Sequence, residues 1–479
     1  MKIKALLEDV PYRIGWETPD GAEEKEIEKI VTSCQTGLEN ALFVCSKASL
    51  RDGAAQMRAA YEMGCRHFVS SSDASPGEGS SVWVIEEPDR HLGELAARLY
   101  GYPARELTVL GVTGGLHATR TALLLEQILL RAGHRVASVM RAGMRHTGAF
   151  LQPGPLLPDA LALQTHLAEL RRTGVEIAVL ELTAHQLAHF AAESIPFTVV
   201  LLSDTAFEPT EAQGFSNLLA WEAAQDRLLC APSSVVILPP EREAACAGRV
   251  WRIGREVKAT DLTPFFDEKT GHGSRFSLHI GGESATVTLP LPGGFSVTAA
   301  LGAAAMARLV GVSPSAIASA LCEAQLIGYT EYLPLPYGRG VYIDAAYSPA
   351  AIAEVLQALR DGCKGRLCVL LGSVGGRAVS RRPLLGEVAE RYADAVYLTA
   401  DDPDAEDPAA ICADILRGMK KGERACVIPD RREAILRAVR ELRPGDILLL
   451  AGKGRDTRQL IGGSRLPFRE REIVYNVKF

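Results

Sequence analysis

The run Gly111-Val112-Thr113-Gly114-Gly115-Leu116-His117-Ala118-Thr119-Arg120-Thr121 joins a short apolar stretch, LTVL, to TRTALLLEQILLRAG, whose leucines fall at helical spacing. A glycine turn between a strand and a helix aims several backbone N–H groups at one point, and the helix dipole adds to them, so such a turn is an anion site. A phosphate-binding turn also carries Lys directly before Ser or Thr. The ammonium reaches the outer phosphates and the hydroxyl reaches Mg2+. Here the hydroxyl is Thr119 and the position before it is Ala118. Arg120 lies two residues beyond Ala118, roughly 200° around a helix, and would reach the phosphates only from an altered helix start. Read by pattern alone, the turn is either a phosphate loop or a plain strand–turn–helix.

Other candidates sit at similar places. Glu181 ends the apolar run IAVLE and is read as a metal carboxylate or a buried capping acid. His185, four residues on, is read as a catalytic or a structural histidine. Asp344 ends VYID. Arg377, Arg381 and Arg382 either hold carboxylates bidentately or form a solvated basic face. Lys453 lies in the glycine turn AGKG.

Strand-like and helix-like stretches alternate throughout, which predicts an α/β fold with parallel sheets and right-handed crossovers. Residues 1–102 read as a small α/β unit with ALFVC, a helix from Gly53 to Gly64, and HFVSS. Residues 103–328 hold the glycine turn, the buried strands RVASVM, IAVLEL and FTVVLLS, and then short β-like runs with glycine turns between Arg255 and Leu289. The Ala-rich SVTAALGAAAMARLVG follows as a helix. Residues 329–479 repeat the alternation in doubly wound style, through VYIDAA, RLCVLLGSVGG, AVYLTADDP and DILLLAGKG.

Composition narrows the classes. The chain has 479 residues, 47% hydrophobic and 23% charged, which is a globular composition. Net charge is −6 with no basic block, which disfavours nucleic acid as the main ligand. The ten cysteines lack CxxC pairs and ligand spacing, so reduced thiols in the cytoplasm are expected. No signal-peptide core and no membrane-length apolar run is found.

Several blocks, in order, resemble the Mur ligase family, MurE type. GVTGGLHATRT is similar to the family's GVTGTNGKTTT loop. LPDALALQTHLAELRRTGV and LELTAHQLA are similar to its (TT)PEALxLQxxLAE and MEVSSHALA stretches. IDAAYSP resembles DYAHTP, GSVGGRAVSRRP resembles GxGGDRDxxKRP, LTADDPDAEDP resembles TSDNPRxEDP, and LLLAGKGRD resembles AGKGHE. ALFVCSKASLRDGAAQMRAAYEMGC resembles a stretch of the uridine-binding domain.

The resemblance implies three domains. These are an N-terminal domain (1–102) for the UDP substrate, a central P-loop-like domain (103–328) for ATP and Mg2+, and a Rossmann-like C-terminal domain (329–479) for the incoming amino acid. It implies an ATP-dependent ligase that adds an amino acid to UDP-N-acetylmuramoyl-dipeptide through an acyl phosphate. Carried over position by position, Gly111, Thr113, Gly114, Thr119 and Asp344 contact nucleotide, with Asp344 at the ribose. Thr119 and Glu181 hold metal. Ser33, Arg377, Asp401, Asp402 and Lys453 face substrate, and Glu181 and His185 stand near the chemistry.

The departures cluster at that chemistry. The loop Lys is Ala118, and Leu116-His117 replace Asn-Gly, so a left-handed backbone at His117 would carry a steric cost. The carbamylated Lys of the family is Gln225, which cannot be carbamylated. An Asp-His pair that serves a metal becomes Thr210-Glu211. Thr32-Ser33-Cys34 replaces a DSR-like site, and Leu156-Leu157 replace two substrate-facing threonines. Tyr347 stands for a His, Arg455-Asp456 for His-Glu. Asp404 replaces the Arg that reads a far carboxylate, which favours a cationic amino acid such as lysine or ornithine. Loss of one preorganised charge contact costs roughly 3 kcal/mol of barrier. The expectation is therefore a MurE-like paralogue with impaired ATP chemistry and a binding or regulatory role. The alternative is an active acid–amino-acid ligase with a rebuilt Mg-ATP site using Glu181, Glu211, His117 or Arg120.

Overall fold

The computed structural model describes residues 1–15, 18–34, 37–45, 53–141, 143–146, 149–151, 158–207, 214–215, 217–243 and 248–477. The expected α/β class and three-domain architecture are what the chain adopts. In the N-terminal part, strands run in the spatial order Arg13–Ile14, Ser81–Val84, His67–Ser70, Ala41–Val44 and Lys29–Val31. All pairings are parallel except that of the first strand.

The central sheet has eight strands. Arg249–Arg252, Ser233–Leu238, Phe197–Leu202, Thr108–Thr113, Ile177–Glu181 and Val136–Met140 are mutually parallel, and Gly143–His146 and Ala149–Leu151 close it antiparallel. Helices cover both faces, so its middle strands are apolar on both sides, as a parallel sheet requires. The β-like runs after Arg255 form a separate antiparallel sheet, Val257–Asp267, Gly271–Ile280 and Glu283–Leu289.

The C-terminal sheet places Glu331–Leu335, Arg339–Asp344, Ile447–Ala451, Leu367–Leu371, Ala395–Leu398 and Ala425–Val427 side by side, parallel but for the first. A hairpin, Arg458–Ile461 with Ser464–Pro467, stands apart.

The helix Ala118–Arg131 buries Leu123, Leu124, Leu125, Ile128 and Leu129. Its main partner is the Ala-rich helix Gly293–Leu309. Small side chains let the two approach closely: a Cβ on Gly302 would come within 3.2 Å of Thr121 Cγ2. Other helices begin with a side-chain cap, among them Asp159, Asn217, Ser313, Ser348 and Asp430. Helix Ala118–Arg131 starts at His117, whose side chain caps nothing. Its first N–H groups therefore need acceptors from elsewhere. Among the described residues, no helix is long and apolar enough to cross a membrane.

Candidate functional site

Strand Thr108–Thr113 lies between Phe197–Leu202 and Ile177–Glu181, with Thr113 opposite Leu202 and Val112 opposite Glu181. The carboxyl ends of three adjacent strands thus bring together the glycine turn, Glu181 and the Ser203-Asp204 pair. This edge of an open α/β sheet is where ligands bind in such folds.

The turn's amides have an acceptor, and it belongs to the same chain. Gly115 and Leu116 donate N–H to Asp204 Oδ1 at 3.1 Å each, and His117 N–H donates to Oδ2 at 2.9 Å. Ser203 Oγ and Ala206 N–H donate to the same carboxylate at 2.8 and 3.1 Å. Two glycines permit the approach. A Cβ on Gly114, at φ 152°, would stand 2.1 Å from Ser203 Oγ, and one on Gly115 would stand 2.0 Å from the Ala206 carbonyl oxygen. His117 sits at φ −107°, so the steric cost anticipated for a left-handed residue there does not arise. Thr113 Oγ1 is fully buried without a hydrogen-bond partner among the described residues.

Glu181 is also engaged on both oxygens. Thr119 Oγ1 donates to Oε1 at 2.6 Å and Arg141 N–H donates to Oε2 at 2.9 Å. The Arg141 guanidinium Nε lies 3.4 Å from Oε1. The two residues expected to share a metal are therefore joined to each other and neutralised by an arginine.

Across from the turn, the C-terminal domain supplies Asp344. It accepts Arg120 Nη2 at 3.0 Å, Thr330 N–H at 2.6 Å and Ala346 N–H at 2.8 Å. Arg120 lies over the Phe295 ring at 4.6 Å, and its Nε is buried without a partner among the described residues. Thr330 adopts φ 54°. His117 stacks on Phe295 at 5.9 Å and approaches Glu354 at 3.6 Å. Burial pushes the His117 pKa down, with Arg120 adding and Asp204 opposing, so the imidazole is neutral at pH 7. Burial pushes the Tyr329 phenol up to about 12, and Glu181 adds to this. His117, Arg120, Phe295, Tyr329, Asp344 and Glu354 enclose a cavity of about 230 Å³ that Arg141, Tyr347 and Ser348 also line.

The other expected residues lie elsewhere. His185 is exposed on the short helix Ala184–Ala188, its ring 4.4 Å from His189, and does not line the cavity; Glu181 reaches the lining through its contacts with Thr119 and Arg141. Ser33 is an exposed residue of the N-terminal part. Gly111 packs under Phe197, where a Cβ would come within 2.9 Å of the ring. The three arginines separate. Arg377 is exposed and Arg381 lies over Tyr347 at 5.1 Å. Arg382 is fully buried, holding Glu406 at 2.6 and 2.7 Å and Asp414 at 2.8 Å. Arg382 thus holds a carboxylate bidentately, and that carboxylate belongs to its own chain.

Lys453 is buried, 2.7 Å from Asp402 and 3.4 Å from Asp401. Burial is the largest single influence on its ammonium and lowers its pKa, but the two aspartates together outweigh it and hold it above the ordinary value. Asp404 accepts Gly463 N–H at 2.7 Å. Gln225 is buried with its Nε2 unpartnered among the described residues. Leu156, Leu157, Thr210 and Glu211 lie outside the described residues.

Phe295, Tyr329 and Glu354 were missed in the sequence, and so were Asp204 and Arg141. Each of the last two follows an apolar strand directly or by one residue, as Glu181 ends one, and that placement was the available signal.

The family described as Mur ligase middle domain matches residues 112–307, and that described as Mur ligase, glutamate ligase domain matches residues 331–454. The chain belongs to the Mur ligase family, and within it to the MurE type. It is 31% identical to a UDP-N-acetylmuramoyl-L-alanyl-D-glutamate--2,6-diaminopimelate ligase of Rhizobium meliloti, over 90% of each chain. It is 28% identical to the ligase of the same name from Caldanaerobacter subterraneus subsp. tengcongensis, over 100% of this chain and 99% of the relative. A solved structure of a ligase of that name superposes with a TM-score of 0.67 at 22% identity, covering 100% of this chain and 99% of the other. The MurF ligase of Thermotoga maritima, solved in complex with ADP, gives 0.61 at 16% identity, over 94% of this chain and 96% of the other.

Proposed function

We propose that this chain is a MurE-type homologue that binds a UDP-N-acetylmuramoyl-peptide-like molecule in peptidoglycan precursor metabolism without driving amide formation from ATP. The domain limits 1–102, 103–328 and 329–479, and the assignment of Ser33, Arg377, Asp401, Asp402 and Lys453 to a substrate side, belong to this proposal. One observation carries it. Glu181 and Thr119, the pair that would hold Mg2+, satisfy each other at 2.6 Å, and Arg141 brings a positive charge to 3.4 Å from the same carboxylate.

A divalent cation needs several oxygen ligands with negative charge left over. Here one carboxylate is already balanced. Among the described residues no three His, Cys, Asp or Glu side chains converge on a point. Ala118 brings no ammonium to the turn, and Asp204 holds the turn's amides. In this arrangement the residues do not fit Mg-ATP. Arg120 and His117, the groups of the rebuilt-site alternative, are directed at Asp344 and at Phe295 and Glu354.

The test is an ADP-release assay with UDP-N-acetylmuramoyl-dipeptide, Mg-ATP and a panel that includes diaminopimelate, lysine and ornithine, alongside calorimetry with the dipeptide nucleotide alone. Saturable binding of that nucleotide without amino-acid-dependent ADP release is expected. Brisk release with any amino acid overturns the reading.

A further inference from the structure

We propose that Asp204 is a built-in plug of the glycine turn: the turn is a preformed site for a polyphosphate anion, and the chain's own carboxylate fills it. This rests on the reading above and deepens it by naming the residue that closes the site and the class of ligand that would replace it.

Three consecutive amides, at residues 115, 116 and 117, converge on the two oxygens of one carboxylate. That is how such a turn holds a phosphate. A phosphate oxygen accepting from the same amides would have to stand where Oδ1 and Oδ2 stand, and like charges at that separation repel. Ser203 Oγ and Ala206 N–H fix the carboxylate in place.

The glycines support the same conclusion. Without side chains, Gly114 and Gly115 leave room for a close visitor, and the visitor is the Ser203–Ala206 segment. Two polar groups beside the turn remain unanswered by this occupant. Thr113 Oγ1 and Arg120 Nε are buried without partners among the described residues, and Arg120 also lines the adjoining cavity. A carboxylate satisfies the three amides and leaves these two groups unmet. A larger anion with more acceptor oxygens has acceptors to offer them.

The experiment compares the full chain with Asp204→Ser and Asp204→Asn. Each is titrated calorimetrically with sodium tripolyphosphate and separately with ATP, and thermal unfolding checks that it is folded. The unaltered chain is expected to show no saturable tripolyphosphate binding up to millimolar concentration. Asp204→Ser is expected to bind at least tenfold more tightly. Asp204→Asn, neutral but of the same size, is expected to gain less. A gain for ATP beyond that for tripolyphosphate would assign the site to nucleotides, and equal gains would assign it to the phosphate chain alone.

Folded variants that bind no better than the unaltered chain overturn the plug. So does tight tripolyphosphate binding by the unaltered chain. ATP turnover by the unaltered chain, measured in parallel, overturns the functional reading and the plug together, whereas variants that gain nothing while the unaltered chain shows no turnover overturn the plug alone. Amide hydrogen exchange at residues 115–117 gives a readout that needs no substitution. Protection is expected in the unaltered chain, unchanged by tripolyphosphate, and a ligand-dependent rise in protection counts against the proposal.

Discussion

Arg120 donates to Asp344 at 3.0 Å across the boundary between the central and C-terminal domains, with 6% and 3% of the two side chains exposed. Removing one partner of a buried ion pair strands the other charge. Arg120→Met leaves the carboxylate with two backbone donors and no guanidinium. A loss of about 3–5 kcal/mol in unfolding free energy is expected. Adding Asp344→Asn should recover more than half of it, read as the urea midpoint of the two variants.

Gly115→Ala places a Cβ 2.0 Å from a backbone carbonyl oxygen that has no rotamer to escape through. A loss of about 2 kcal/mol or more is expected. Gly294→Ala is the control, since a Cβ there meets nothing within 4 Å and sits in the first turn of a helix. It should be neutral or stabilising by up to about 1 kcal/mol. Differential scanning calorimetry of the pair separates overlap from a general intolerance of alanine.

Acid should weaken the Arg382 cluster in a defined window. The Arg382 guanidinium, helped by Gly376 N–H, holds the Glu406 carboxyl down at about 2. An unfolded glutamate titrates near about 4.3. Above that pH both states are ionised and the full contribution is present. As pH falls towards 2 the unfolded chain takes up the proton first, and the contribution is lost. Urea unfolding between pH 7 and pH 2 should show this slope, and Glu406→Gln should flatten it.

Lys453→Met removes the ammonium between Asp401 and Asp402 and leaves two carboxylates together at the end of their strand. A loss of about 3 kcal/mol is expected. Asp402→Asn should cost less, because Asp401 still faces the lysine. Thermal unfolding of the two variants, with Lys453→Arg as the charge-retaining comparison, checks the order.

Much of the fold was legible because its signals are local. Apolar strands alternating with leucine-spaced helices predicted the parallel sheets, and the glycine turn marked the strand end at which the site forms. Glu181 and Asp344 stood out because an acid closing an apolar run leaves the sheet at the edge where ligands bind in such folds. The contacts that decide the chemistry were not legible. Asp204 meets residues 115–117 across 87 to 89 positions of chain, and no local pattern records that meeting. Arg377, Arg381 and Arg382 look alike in sequence, yet Arg377 stays exposed while Arg381 and Arg382 are drawn inside, Arg382 by acids 24 and 32 positions away. His117 was read for its backbone and as a phosphate-side group, whereas its ring stacks on Phe295.

Thr330 carries one more implication. A β-branched residue at φ 54° is held out of its comfortable torsions at a cost of about 1–3 kcal/mol, and its amide is fastened to Asp344 at 2.6 Å. It lies just before Glu331–Leu335, where the chain passes from one lobe to the next. The Asp344 carboxylate is therefore the catch on that torsion, and a group that drew it away would take the Thr330 amide's acceptor with it.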